Sequence, residues 1–444
     1  MSILSLPSTT DDLILDRLSA AELFKYARTC KTNYKVVQDY IPRGFQLHKL
    51  LAPYFSPEQI MEFRRLQAST GMLISGSTAL QFFDRVVYLE SDLDLYVNHS
   101  SREEIGRWLT SIGYSFVPQR LNFVSHMGQD ETLILATFDD AIAHLEPEPS
   151  TWDPWLGHEF LTQGGNKYIG AGCLFTFVKG IAPNERKIEL ITSMKSPLER
   201  ILNFHSTCVM NIITHDRAYS FYPCATFSER RSLVCARPQL DFLAHSKYFV
   251  RGWAVNWSAS REEIDDPRSS FKRGIRHVGD AHCWVLPVFP SLKVDSDHTL
   301  LVSSHEQNYV IDANSWDIQY NMALRPKMDY YFVTSDRLSS PYLVDNHSLH
   351  LRLHIAEVLG HQLEDGNTPR EPHSETDAEL RHEFLDRKLA SFLQWFHSSG
   401  HSASETCPFS LAMRRRQISV QTSVSISESS EQTISRNFSR LTLD

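Results

Sequence analysis

Two aspartates separated by one residue constrain the fold of this chain more than any other feature. Asp92 and Asp94 alternate with apolar residues in the segment SDLDLYV, which begins at Ser91. This period of two predicts a β-strand, from which both carboxylates point to the same face. Like charges so close together repel each other unless a cation lies between them. The segment therefore predicts a strand whose acidic face meets a positive group.

A Gly-Ser pair lies upstream, at the end of the apolar segment LISGS. Gly76 at a strand end allows a sharp turn and the close approach of a phosphate. Ser77 is expected to begin a helix, STALQFFDRVV, whose N-terminal N–H groups favour an anion. With Asp92 and Asp94, which can share divalent metal ions, the pair indicates a two-metal phosphoryl-transfer site. The alternative is an edge strand with solvent-facing aspartates, preceded by a simple turn.

The surrounding sequence predicts the α+β class, with a small mixed sheet and flanking helices between residues 71 and 200. ETLILATF, CLFTFVK and KIELITS are predicted strands, and the turn GIAPNER joins the last two as a hairpin. SSREEIGRWLTSIGY is a predicted helix with a capping box formed by Ser101 and Glu104. SPLERILNFHSTCVMNIITHD is interpreted as one long helix, and SERRSLVCA as a short one.

Over residues 71–205, this arrangement resembles the polymerase-beta-like nucleotidyltransferase superfamily, through LISGS and SDLDLYV. The resemblance implies that Asp92 and Asp94 hold Mg²⁺ on a nucleoside triphosphate. It also implies that Gly76 and Ser77 hold phosphate.

The superfamily has a third carboxylate on a later strand, and Glu189 in RKIELITS is the candidate here. The resemblance implies that Glu189 completes a second metal position and helps to deprotonate the acceptor hydroxyl. The family more often has Asp at this place, and a solvent-facing strand residue is the alternative. Lys187 on the same strand face, and Arg85, can each meet a phosphate, but an ordinary solvated side chain is the expectation for both.

The first 55 residues resemble an F-box, through Leu6-Pro7, a leucine-rich helix and LSAAELFKYARTCKTNY. F-boxes bind the adaptor of an SCF ubiquitin ligase through an exposed apolar face, so the resemblance implies that partner. The alternative is a helical cap on the adjoining domain. The combination of this N-terminus with the motifs above resembles a group of uncharacterised fungal proteins, over most of residues 1–290, and brings no known activity.

Five segments are predicted along the chain. They are an F-box-like helical segment (1–55), a nucleotidyltransferase-like domain (56–215), a mixed α/β region (216–365), a linker with an amphipathic helix (366–406) and a disordered Ser/Thr-rich tail (407–444).

Composition narrows the class of protein. A net charge of −9 argues against a broad basic surface for non-specific nucleic-acid binding. The 7 cysteines form no C-x-x-C pair, which favours reduced thiols and a cytoplasmic or nuclear location. No run of ~18 apolar residues is present, so no membrane span is expected. His205 with Cys208, and His282 with Cys283, have spacings that zinc tolerates, but core packing is the expectation.

The sequence thus predicts an Mg²⁺-dependent transfer of a nucleotidyl group to an unknown acceptor. The alternative is an F-box-like substrate receptor of an SCF ubiquitin ligase, in which the nucleotidyltransferase-like domain is an inactive scaffold. A glycosyltransferase is a third possibility, because Asp-x-Asp can also hold Mn²⁺ and a nucleotide sugar. The upstream Gly-Ser pair disfavours that third possibility.

Overall fold

The computed structural model describes residues 8–88, 91–124, 130–144, 160–161, 167–168, 173–235, 242–288, 311–335, 338, 340–345, 386 and 389–397. The chain divides into two compact units, Met1–Ser391 and Phe392–Asp444. The predicted tail and most of the predicted linker lie outside the described residues.

The named elements all lie in the first unit. The helices are α1 (Ser8–Leu15), α2 (Ala20–Ala27), α3 (Lys31–Gly44), α4 (Leu47–Leu51), α5 (Pro57–Thr70), α6 (Gly76–Asp84), α7 (Arg102–Ser111), α8 (Phe138–His144), α9 (Pro197–Leu202), α10 (Phe242–Val250) and α11 (Arg261–Asp265). Two 3₁₀ turns at His99–Ser101 and Thr207–Val209, and a π-helical turn at Cys224–Ser228, accompany them.

The strands are β1 (Leu73–Ile74), β2 (Leu93–Asn98), β3 (Ser115–Phe116), β4 (Gln119–Val124), β5 (Asp130–Leu135), β6 (Phe160–Leu161), β7 (Lys167–Tyr168), β8 (Leu174–Lys179), β9 (Arg186–Ser193), β10 (Asn211–Ile213), β11 (Arg217–Ser220), β12 (Arg231–Leu233), β13 (Ala254–Asn256), β14 (Gly274–His277), β15 (Trp284–Pro287), β16 (Ser315–Tyr320), β17 (Pro326–Asp329), β18 (Tyr331–Val333) and β19 (Tyr342–Val344).

An 8-stranded mixed sheet forms the centre of this unit, in the order β15-β11-β10-β1-β2-β9-β8-β3. β2 and β9 pair in parallel, with Asp94 opposite Glu189, whereas the other neighbouring strands of the sheet are antiparallel. The predicted α+β class and the hairpin between β8 and β9 are therefore confirmed. The sheet is larger than the small one predicted, because β10, β11 and β15 extend it.

The period of two along β2 and β9 separates two apolar clusters. Leu93, Leu95 and Ile188 belong to a buried cluster that also includes side chains of the helices before the sheet. Tyr96 and Ile191 belong to the cluster on the opposite face, with residues of α9 and of the strands β16 and β17. Because Asp94 and Glu189 alternate with the first set, their side chains lie on the face of the second.

The N-terminal helices contribute to the same core as the central sheet. Leu15, Leu23 and Tyr40 are buried in the first cluster together with Leu95. The Phe24 ring lies 4.3 Å from that of Trp284, measured between centroids. The described N-terminal helices therefore pack directly against the central sheet, and the F-box-like resemblance stays a prediction.

The predicted long helix after β9 is wrong. α9 ends at Leu202, and residues 211–213 form β10, paired with β1 and β11. Ile212 and Ile213 are β-branched and pack well on a pleated surface. This segment therefore forms a strand that pairs with β1, in place of the predicted helix. SERRSLVCA likewise contains the strand β12 in place of the predicted helix.

Candidate active site at the start of the parallel strand pair

The predicted acidic residues meet where β2 and β9 begin. Since Leu93 pairs with Ile188 and Asp94 with Glu189, the register also brings Asp92 beside Lys187. Lys187 Nζ lies 2.9 Å from Asp92 Oδ2 and 2.5 Å from Glu189 Oε1. Four charged side chains, three acidic and one basic, therefore share one patch of the sheet face.

Gly76 lies against this patch at the first turn of α6. Its φ of +65° lies in the left-handed region, and a Cβ atom placed on it would overlap Asp94 Oδ2. Only glycine combines this backbone conformation with so close an approach to a carboxylate. The structure thus places Gly76 in direct contact with Asp94, whereas the resemblance implied that Gly76 holds phosphate.

Hydrogen bonds hold the residues before β2 against α6. The Ser77 and Ser91 hydroxyls are 2.5 Å apart, and Thr78 Oγ1 donates to the Asp92 carbonyl oxygen at 2.8 Å. The Tyr54 hydroxyl donates to the Ser91 carbonyl oxygen at 2.6 Å. Ser77 is buried and its hydroxyl is engaged by Ser91, so the residue positions this turn in the structure.

Burial and mutual repulsion shift the acidic groups. Burial raises the pKa of Asp94 well above its usual value, and the nearby Glu189 and Asp92 charges raise it further. Burial also raises the pKa of Asp92, although the hydrogen bond from Lys187 opposes the shift. The pair with Glu189 and Asp92 outweighs burial at Lys187 and raises the pKa of its ammonium. The patch thus favours bound protons or cations.

Sequence reasoning missed part of this environment. The interpretation of Lys187 as an ordinary solvated residue is wrong, because its side chain is 35% exposed and pairs with two carboxylates. Lys247 on α10 is close enough that all three carboxylates raise its pKa, although burial and Arg251 lower it overall. Its segment, FLAHSKYFV, carries no motif that predicts a position near the acidic residues.

Arg85 does not belong to the patch. Its side chain is 13% exposed and donates hydrogen bonds to the carbonyl oxygens of Leu15, Asp16 and Leu18. The guanidinium also lies over the ring of Tyr40, 5.3 Å from its centroid. Arg85 therefore joins α6 to the N-terminal helices, and the expectation of a solvated or phosphate-binding arginine is wrong.

The residues of the patch fit one Mg²⁺ ion better than two. Carboxylate oxygens such as those of Asp92 and Asp94 are the ligands Mg²⁺ prefers, and Gly76, which has no side chain, adjoins Asp94 Oδ2. Between Asp92 and Glu189 the Lys187 ammonium already takes a cation's place. In the part of the chain that the structure describes, no group of three or more His, Cys, Asp and Glu side chains has an arrangement for a metal ion.

The cysteines of the two other candidate metal pairs, His205 with Cys208 and His282 with Cys283, contact neighbouring protein groups. Cys208 is buried, with its sulfur 3.8 Å from the Ser206 hydroxyl. Cys283 Sγ lies 3.5 Å from a guanidinium nitrogen of Arg276, which is also buried. The cysteines at 30, 173, 208, 224, 235 and 283 are free thiols.

Comparison with known proteins adds no assignment to this geometry. No protein-family description, no curated protein and no solved structure matches the chain significantly. Within the described residues, none of the helices has the length and apolar character needed to cross a membrane.

Proposed function

We propose that this chain binds a nucleoside triphosphate with Mg²⁺ and transfers its nucleotidyl group to an acceptor hydroxyl. One observation carries the proposal: Asp94 and Glu189 lie opposite each other on parallel strands, beside Asp92 and the first turn of α6. A helix N-terminus beside clustered carboxylates suits a metal-bound polyphosphate, because the helix favours the anion and the acids favour the metal.

Each residue has a distinct task in this proposal. Asp92 and Asp94 would hold Mg²⁺, which neutralises phosphate charge and makes the α-phosphorus more electrophilic. The first turn of α6, beginning at Gly76, orients the phosphates through its N–H groups. Glu189 accepts the proton of the acceptor hydroxyl as that oxygen bonds to the α-phosphorus. The bond from the α-phosphorus to the bridging oxygen breaks, and pyrophosphate leaves with the electron pair.

Isothermal titration of ATP or CTP in the presence of Mg²⁺ tests the proposal. We expect binding to the full chain and a loss of about tenfold or more in Asp92→Asn with Asp94→Asn. Asp139→Asn removes an acid from the exposed surface of α8 and should bind as the wild type does. Unchanged binding in the double variant would contradict the assignment of the metal site.

Turnover needs a separate measurement, because an inactive scaffold can retain nucleotide binding. Release of pyrophosphate from the triphosphate, with the labelled α-phosphate retained on an acceptor, reports the transfer. Binding without release would favour the non-catalytic alternative.

A second candidate is an F-box-like substrate receptor, and exposed apolar residues on the N-terminal helices favour it. Leu13 on α1 is 69% exposed and Tyr34 on α3 is 57% exposed. A purified SCF adaptor should then bind the chain, and Leu13→Glu with Tyr34→Glu should abolish binding. Val87→Glu changes another exposed apolar residue, 79% exposed, as the control. Absence of adaptor binding to the wild-type chain would remove this candidate.

A further inference from the structure

Lys187 makes an unusual connection within the acidic patch. Its ammonium lies between the carboxylates of Asp92, at 2.9 Å, and Glu189, at 2.5 Å, and so links β2 to β9. The Glu189 side chain is 7% exposed and that of Lys187 35%, so water screens this contact less than it screens a surface ion pair. The ammonium is therefore held in one place by two acids.

The third acid has different surroundings. Among the described residues, no ion pair or hydrogen bond to the Asp94 carboxylate is present, and the backbone of Gly76 adjoins it. A cation that binds between Asp94 and Asp92 therefore displaces no ammonium bonded to Asp94, although the charges of Lys247 and Lys187 act on this carboxylate from nearby. A cation entering between Asp92 and Glu189 meets the Lys187 ammonium and must displace it.

We propose that Lys187 is an internal counter-ion that restricts this site to a single divalent cation. The ion is held by Asp92 and Asp94, while Lys187 closes the second position, between Asp92 and Glu189. This inference rests on the metal site of the proposed function. It differs from the two-metal arrangement that the sequence predicted, because here a side chain supplies the second positive charge.

Removal of the ammonium should open the closed position. Lys187→Met keeps most of the length of the side chain and takes away its charge. Asp92 and Glu189 then lack their shared counter-ion, so a second divalent cation gains two ligands and loses a competitor. We expect Mn²⁺ to bind to the wild-type chain at about one ion per molecule, and to Lys187→Met at about two.

Titration of the full chain with Mn²⁺, followed by the electron paramagnetic resonance signal of the free ion, counts the bound ions. Lys327→Met is the matched control. It removes an exposed lysine that pairs with Asp329 outside the acidic patch, so it should bind Mn²⁺ as the wild type does. Two ions on the wild-type chain, or an unchanged count and affinity in Lys187→Met, would overturn the proposal. Absence of Mn²⁺ binding to both proteins would overturn it as well.

Glu189→Gln provides a second test that does not depend on the folding of Lys187→Met. Since Glu189 is not a ligand of the single ion, this variant should still bind one Mn²⁺ per molecule, with an affinity lowered only by the loss of a nearby negative charge. Loss of that ion would show that Glu189 holds it and would refute the assignment. Neither titration uses a nucleotide, so a failure of nucleotide binding and a failure of this inference are separate results.

Discussion

Gly76 is the residue at which the site tolerates the least change. Alanine there would have to adopt a φ of +65° and would overlap Asp94 Oδ2. We expect Gly76→Ala to lower the free energy of unfolding by about 2–3 kcal/mol, from backbone strain and displacement of the carboxylate. Urea denaturation measures this change.

Gly71 is the matched control for that substitution. Its φ is +66°, but nothing lies within 4 Å of a Cβ placed on it. Gly71→Ala should therefore carry only the strain of the left-handed conformation, about 1 kcal/mol. Equal losses in the two variants would show that the contact with Asp94 has no energetic weight.

Asp94 should reduce the stability of the free protein at neutral pH. Because burial, Glu189 and Asp92 raise its pKa, the folded state binds this proton more tightly than the unfolded state does. Ionisation therefore destabilises the fold as the pH rises from the unfolded pKa of about 4 towards the folded pKa. We expect Asp94→Asn to unfold at a higher urea concentration than the wild type at neutral pH.

That gain should disappear in acid. Below about pH 4 the aspartate is protonated in both states, so Asp94→Asn and the wild type should unfold at similar urea concentrations. A gain of the same size at both pH values would show that ionisation is not its cause. Asp139→Asn, on the exposed surface of α8, should change little at either pH.

At this scale the sequence predicted the acids and the glycine but not the lysine. Asp92, Asp94 and Gly76 carry a signal in their spacing, which follows from strand periodicity and turn geometry. Lys187 was noticed only as a neighbour of Glu189. Its second partner, Asp92, is 95 residues away in sequence, and local patterns carry no information on such pairs.

Among the elements, α6 does more than present its first turn to the site. Arg85 follows its last residue and donates to three carbonyl oxygens around the end of α1. Arg85→Ala would leave these groups without their donor, so we expect a loss of about 2–3 kcal/mol in unfolding free energy. Amide hydrogen exchange should also become faster in α1 and α3.

Arg107→Ala is the control for the Arg85 substitution. Arg107 pairs with Glu103 on the surface, where the two side chains are 57% and 51% exposed. Exposed pairs of this kind contribute roughly 0–1 kcal/mol, so exchange in α1 and α3 should match the wild type. Equal effects of the two substitutions would argue against a specific connection through Arg85.

Helix starts agree with the capping-box spacing in the sequence where the cap residue has an extended backbone. Ser19 and Ser56 have ψ near 165°, and each forms the reciprocal hydrogen bonds of a capping box. Ser101 has the same spacing to Glu104, but its ψ is 0° and no side-chain cap forms. The 3₁₀ turn ending at Ser101 imposes that conformation, and a spacing rule does not include it.

Within the first unit, the buried side chain of Arg276 joins the three-stranded sheet β14-β16-β17 to the larger sheet. Arg276 on β14 is 1% exposed at its side chain and pairs with Asp280, while also donating to the Phe221 carbonyl oxygen after β11. Asp280→Asn would leave a buried guanidinium without its carboxylate, so we expect a loss of about 3–5 kcal/mol by urea denaturation.

The same pair should make the protein sensitive to acid. Burial alone would raise the pKa of Asp280, but the Arg276 charge and hydrogen bond lower it overall. The stability that Asp280 contributes is therefore present above its unfolded pKa of about 4 and is lost as the pH falls through the lower folded pKa. Asp266→Asn, which breaks a surface pair with the 92%-exposed Arg268, should have little effect.

Strand pairing crosses one of the predicted segment boundaries. The expected boundary between residues 215 and 216 falls between β10 and β11, which form a hairpin within one sheet. β15, from the region expected to be separate, adds a further strand to that sheet. The pairing of β11 with β15 depends on contacts between segments that are distant in sequence, which local composition does not reveal. The amphipathic helix near the C-terminus was easier to predict, and residues 389–397 are helical.

The parallel pairing of β2 with β9 also affects how the protein is made. Asp92 leaves the ribosome well before Lys187, its partner 95 residues later in the chain. Until β9 is synthesised, one edge of β2 has no partner strand, and bringing the two strands together across the intervening chain then has an entropic cost. We therefore expect the acidic patch to assemble late during translation, after the helices around α5 have already formed.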